Sequence, residues 1–230
     1  MFDVFLYGAF PYLAFALAIG GGLYRYYRDR FSFSSLSSQL LDRNQLFWGS
    51  VPWHYGIVTL LIGHLIGLLV PDWVSAFNGA PVRLYILEIT ALGLGLFSLV
   101  GIVILILRRT TSPRAAVVTS RMDAILLFLL LVQVLAGLYT AIFQRWGTGW
   151  YLSNAVPYLI SLVTLSPQIE YAQTLPLATQ IHVVNAFLLV AIFPFSRLVH
   201  IFTVPITYLW RPYQTVVWNR RSRRIEEDLP

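Results

Sequence analysis

The chain contains four histidines, His54, His64, His182 and His200, and all four fall inside stretches apolar enough for lipid. Imidazole carries protons near neutral pH and is a common ligand of transition metals. Ionisable groups inside apolar spans are rare and usually functional. The first two histidines share one apolar stretch and the last two share another. His54 and His64 are ten residues apart, about 15 Å along a helix axis; His182 and His200 are eighteen apart, about 27 Å. If the two stretches run antiparallel, His54 faces His200 at one level and His64 faces His182 at another. Eighteen residues is about five helical turns, so His182 and His200 project from one face, whereas ten residues leave the other two about 80° apart. Two stacked cross-helix pairs suit two hexacoordinate haems, each iron taking two axial imidazoles. Catalytic zinc wants three clustered ligands and an open position, and copper–haem oxygen chemistry needs more histidines than the chain has.

The neighbours of these residues carry further expectations. A porphyrin needs close access to backbone, and "IGHLIG" places Gly63 and Gly67 beside His64, with Gly56 after His54. Small residues at these positions serve either a haem face or helix–helix packing. In "FPFSRLVHIFTVP" (Phe193–Pro205), Arg197 precedes His200 by three residues on a helical face. It either pairs with a haem propionate or extends its charge to the membrane surface. Pro194 is positioned to kink that helix.

The elements that must hold these groups follow from composition. Of 230 residues, 57% are hydrophobic, and the mean hydropathy is +0.69. A soluble domain of this length could not solvate so much apolar surface. Spans of roughly 20 residues are expected at 4–24, 48–70, 84–107, 122–143 and 178–203. The fold class is therefore all-α: a single membrane domain over 1–230 with five transmembrane helices and a polar tail at about 212–230. The first span is expected to be a membrane helix rather than a cleavable leader, because its arginines follow the apolar run. All sixteen basic side chains are arginine. They concentrate after span 1, between spans 3 and 4, and in the tail, while the other two connections hold only Arg83 and Arg145. The positive-inside rule puts the rich set in the cytoplasm, so the N-terminus is expected outside and the C-terminus inside. This distribution argues for membrane topology and against nucleic-acid binding. The connection 144–177 contains Pro157, Pro167 and Pro176 and reads either as a surface segment or as a re-entrant lid. Cysteine is absent, so any iron–sulfur cluster must sit on a partner.

Four stretches, "SSQLLDR" (37–43), "GHLIGLLVPDW" (63–73), "RRTTSPR" (108–114) and "PFSRLVHIFTVPITYL" (194–209), carry a resemblance. The chain, from about residue 8 to 217, resembles the gamma subunit of membrane-bound respiratory nitrate reductase, a dihaem cytochrome b. The resemblance implies that His54 and His200 ligate the haem nearer the cytoplasm and His64 and His182 the haem nearer the outside. It implies a multi-pass protein of a prokaryotic cytoplasmic membrane that oxidises quinol near the outer haem. Electrons would pass to a beta subunit with iron–sulfur clusters and an alpha subunit with a molybdenum cofactor. Arg83 stands where known members have a lysine implicated in quinol binding, which keeps the charge and changes the geometry. Related cytochromes of sulfite-reductase and heterodisulfide-type complexes are an alternative assignment. A haem-free membrane anchor is the rival from another class.

Overall fold

The computed structural model describes residues 1–29, 43–144 and 147–202. The basic tail, Arg145 and most of the first arginine-rich connection lie outside the described residues. Every regular element among the described residues is helical: a π-helical turn at Val4–Ala9, then α1 (Phe10–Arg28), α2 (Arg43–Leu69), α3 (Pro71–Asn78), α4 (Pro81–Thr111), α5 (Pro113–Val117), α6 (Arg121–Phe143), α7 (Gly147–Trp150), a π turn at Tyr151–Ala155, α8 (Val156–Val163), α9 (Glu170–Gln173) and α10 (Leu177–Ile192). Among the described residues, five helical segments are long and apolar enough to cross a membrane: Val4–Arg28, Leu46–Leu69, Pro81–Thr111, Arg121–Phe143 and Leu177–Phe195. Proline stands in the first turn of α3, α4 and α5, where its missing N–H costs nothing. Ser120 and Asp123 start α6 with reciprocal side-chain-to-backbone bonds, satisfying two donors at a helix end.

The bundle packs α2 on α4, α4 on α6, α6 on α10 and α10 on α1. The α2–α4 approach is close because its contact residues are small. A Cβ on Gly101 would lie 2.8 Å from the Gly49 carbonyl, and one on Gly56 would lie 2.8 Å from the Leu94 carbonyl. Gly56 is therefore a packing glycine. One apolar core joins Trp53, Ile102, Val134 and Leu138 across α2, α4 and α6, and a second joins Tyr7, Ala14, Tyr158, Leu162, Phe187 and Ala191 across the Val4–Ala9 turn, α1, α8 and α10.

The fifth span departs from expectation. It is not one helix over 178–203: α10 stops at Ile192, 3-10 turns follow at Phe193–Phe195 and Arg197–Ile201, and Ser196 between them is extended at φ −109° and ψ 178°. Pro194 supplies the cause, since it has no N–H to continue the ladder and its ring crowds the preceding turn. The Ser196 hydroxyl then accepts a bond from the Leu198 N–H at 3.2 Å and restarts the chain. Five uninterrupted turns therefore do not connect His182 to His200. The break is tied from outside: Arg25 at the end of α1 donates to the Pro194 carbonyl at 2.6 Å, and Gly21 leaves room for the Pro194 ring.

The described residues of the 144–177 connection fold back on the bundle as a lid. Val156, Tyr158, Ser161 and Leu162 of α8 are buried. Tyr158 donates to the Tyr7 carbonyl at 2.7 Å and Tyr12 to the Leu162 carbonyl at 3.0 Å. Burial pushes the Tyr158 hydroxyl above the ordinary phenol range, with Tyr7 and Tyr12 adding to the effect, so it remains a proton donor.

Candidate functional site

The histidines meet in the expected pairs. The rings of His54 and His200 have centroids 6.0 Å apart at 72°. Those of His64 and His182 are 6.5 Å apart at 30°. Two imidazoles that each place a nitrogen about 2 Å from a shared metal have centroids about 6 Å apart, so both pairs fit a bis-imidazole iron.

The outer shell of each ring supports the same chemistry. The Nδ1 of His54 lies 2.7 Å from the Ser50 carbonyl, that of His64 2.7 Å from the Leu60 carbonyl, that of His200 2.6 Å from the Arg197 carbonyl and that of His182 2.9 Å from the Gln133 carbonyl. A carbonyl only accepts, so Nδ1 carries the proton in all four rings and Nε2 keeps its lone pair. This is the tautomer that a metal-ligating histidine with a carbonyl behind it adopts. Among the described residues no three His, Asp or Glu side chains gather to hold a bare ion. Two-ligand sites suit a metal whose remaining ligands come with a macrocycle, as haem iron's do.

The other expected residues fall out differently. A Cβ at Gly63 would meet nothing within 4 Å, so this position leaves open space beside His64. Gly67 makes room for a different group: a Cβ there would lie 2.7 Å from the Tyr151 ring. Tyr151 donates to the His64 carbonyl at 2.6 Å, and its ring stands 5.1 Å from the His64 ring. Burial raises the Tyr151 hydroxyl above the ordinary phenol value, keeping it a donor. The Arg197 guanidinium grips Asp123 through Nε at 2.6 Å and Nη2 at 3.0 Å, and Nη2 also donates to the Val118 carbonyl at 3.1 Å. Arg83 is exposed and donates to the Phe77 and Ala76 carbonyls at 2.7 and 3.1 Å, closing the end of α3. Next to this end lies a cavity of about 480 Å³ lined by Pro71, Asp72, Ser75, Asn78, Leu84 and Leu152 among others.

Four functional neighbours were missed in the sequence. Asp123 is the partner of Arg197. Gln133 and Asn185 surround His182. Glu88 accepts from the Thr148 N–H at 2.8 Å and hydroxyl at 2.5 Å, tying the lid to α4. Each is a polar side chain inside an otherwise apolar span, which is the signal that could have raised them.

Fold and site together define a multi-pass helical membrane protein with two paired-imidazole centres stacked through its bundle. The chain matches the family described as "Nitrate reductase gamma subunit" over residues 3–219. It is 33% identical over 220 residues to the nitrate reductase gamma chain of Bacillus subtilis, covering 94% of this chain and 98% of that one. It is 32% identical over 217 residues to the respiratory nitrate reductase 1 gamma chain of Escherichia coli, covering 93% and 96%. A nitrate reductase-like protein of Mycobacterium tuberculosis, NarX, is 31% identical over 220 residues, 94% of this chain and 33% of NarX. The chain belongs to the nitrate reductase gamma subunit family.

Proposed function

We propose that this chain is the membrane-anchored electron-transfer subunit of a quinol-dependent nitrate reductase complex and binds two b-type haems. His54 and His200 would hold the inner haem, nearer the cytoplasm, and His64 and His182 the outer one. The N-terminus would lie outside and the C-terminus inside a prokaryotic cytoplasmic membrane. Bound there, haem supplies reversible one-electron transfer through its iron. The observation that carries this reading is the pair of cross-bundle imidazole contacts, 6.0 and 6.5 Å between centroids, with every Nδ1 engaged by a carbonyl.

The chain's own groups then have assignable work. Four carbonyls fix four rings in one tautomer, so the ligand nitrogens are oriented before metal arrives. The 144–177 connection, held by Glu88 and by Tyr151 on the His64 carbonyl, would fix the backbone and ring position of His64. Arg83 would orient a quinol oxygen beside the outer pair; as an obligatory cation it cannot take the quinol protons. Electron acceptors lie on partner subunits, an iron–sulfur beta subunit and a molybdenum-cofactor alpha subunit, because the chain has no cysteine for clusters of its own.

The test is the visible spectrum and redox titration of the purified protein. The expected result is b-type absorption bands from two haems per chain, resolved as two titrating components. A haem-free protein that still anchors its partners would sink the reading.

A further inference from the structure

The four Nδ1–carbonyl bonds are not equivalent. For His54, His64 and His200 the carbonyl lies three or four residues earlier in the same segment. For His182 it belongs to Gln133 on α6, forty-nine residues away in sequence. Its geometry is therefore set by how α10 sits against α6, not by the turn of its own helix.

Two features fix that arrangement. Asn185, three residues after His182 and only 6% exposed, donates from Nδ2 to the Leu129 carbonyl at 2.9 Å and to Gln133 Oε1 at 2.7 Å. It rivets α10 to one turn of α6, with Gln133 at the end of that turn. The Gln133 side-chain amide nitrogen stands 3.2 Å from His182 Nε2; iron bound at Nε2 would replace that contact and leave the Nδ1 bond to the Gln133 carbonyl in place. Gly137, one turn further along α6, opens the space for the imidazole: a Cβ there would lie 3.0 Å from Cε1 and 3.3 Å from Nδ1.

We infer that Asn185, acting through Gln133, is a positioning residue that sets the donor strength of the His182 imidazole and thereby the electron affinity of the outer haem alone. The inference rests on His182 being an axial ligand. A carbonyl accepting from Nδ1–H makes the imidazole more basic and favours the oxidised iron. Loosening that bond should favour the reduced form and raise the midpoint potential. The inner haem lacks this dependence, because its two Nδ1 bonds are local.

The experiment compares Asn185→Leu with unmodified protein in the assembled membrane complex. Haem content, redox titration of both haems and low-temperature electron paramagnetic resonance are recorded. Expected are both haems present, an upward shift of the outer midpoint, altered g-values for the outer haem, and an inner haem unchanged in both measures. If Asn185→Leu fails to load the outer haem, Gly137→Ala carries the same measurement, since its methyl group would crowd Cε1 and Nδ1 of the ring and disturb the Nδ1–carbonyl bond without removing a polar group. An outer haem with unaltered midpoint and g-values in a fully loaded variant overturns the inference. So do equal shifts of both haems. An unmodified protein with no haem would instead sink the ligand assignment itself.

Discussion

The two histidine pairs are held by different means. Around His64 and His182 both histidines sit on unbroken α-helix, the rings lie within 30° of parallel, and the supports beyond the local His64 bond come from other segments: the Gln133 carbonyl, Asn185 and Tyr151. Around His54 and His200 one histidine sits on a 3-10 turn beyond a proline break, the rings cross at 72°, and long side chains hold the segment in place. Arg25 reaches it from α1 and Arg197 anchors it to Asp123. A regular helix distributes its positional information over many weak contacts. A tethered irregular segment concentrates it in a few strong ones, so the inner pair should be the more fragile to single substitutions away from the ligands.

The comparison can be broken most directly at the ligands. His64→Ala and His182→Ala should each abolish the same redox component, and His54→Ala and His200→Ala the other. Haem content and redox titration of the four variants check this; loss of one shared component from His54 and His182 variants would undo the pairing. The next largest effect is expected at Asp123→Ala. The Asp123 side chain is 6% exposed and that of Arg197 26%. Removing one partner of such a pair costs roughly 3 kcal/mol. The inner haem should be partly lost and the outer retained, as read by the ratio of the two components. Equal retention of both would show that the tether does not hold His200. Arg83→Ala sharpens the contrast at the other end. Both haems should load, and dithionite should reduce them normally. Reduction by quinol should slow about tenfold, the loss of one charge-assisted hydrogen bond. Unchanged quinol kinetics would return Arg83 to its structural task at the end of α3. The smallest effect belongs to Glu88→Gln, which makes a charged acceptor neutral. Hydrogen exchange at the Thr148 amide should quicken roughly fivefold, about 1 kcal/mol of local opening, with haem content unchanged. No change there would show that Glu88 does not hold the lid.

What the sequence made legible was periodic or compositional. Five apolar runs of bilayer length gave the spans, and four histidines split two and two gave the pairs. Less legible were contacts between residues remote in the chain. Nothing near Arg197 points to Asp123, seventy-four residues earlier, and nothing near Gly67 announces Tyr151. The lid was ambiguous because an apolar, aromatic stretch with three prolines suits either a bilayer surface or a protein one. Its tyrosine hydroxyls bond to backbone carbonyls of His64 and Tyr7, partners that no local pattern announces. The break after Ile192 hid behind continuing apolar composition: Pro194 marked the place, but only the extended Ser196 shows that the helix ends rather than bends.

The partners of α1 have a consequence for how the protein is made. Tyr7 bonds to Gln180, Tyr12 to Leu162, Arg25 to Pro194, and the Tyr7 carbonyl to Tyr158. Each of these lies 150 or more residues downstream. Among the described residues, α1 and the turn before it therefore meet these partners only after α8 and then α10 have been synthesised. Contacts of such separation form late, after the chain entropy between them has been spent. Closure of the bundle by α1 is then expected late in biogenesis. The same step completes the lid and secures the proline break, so the two haem levels would mature together rather than in the order in which their histidines are translated.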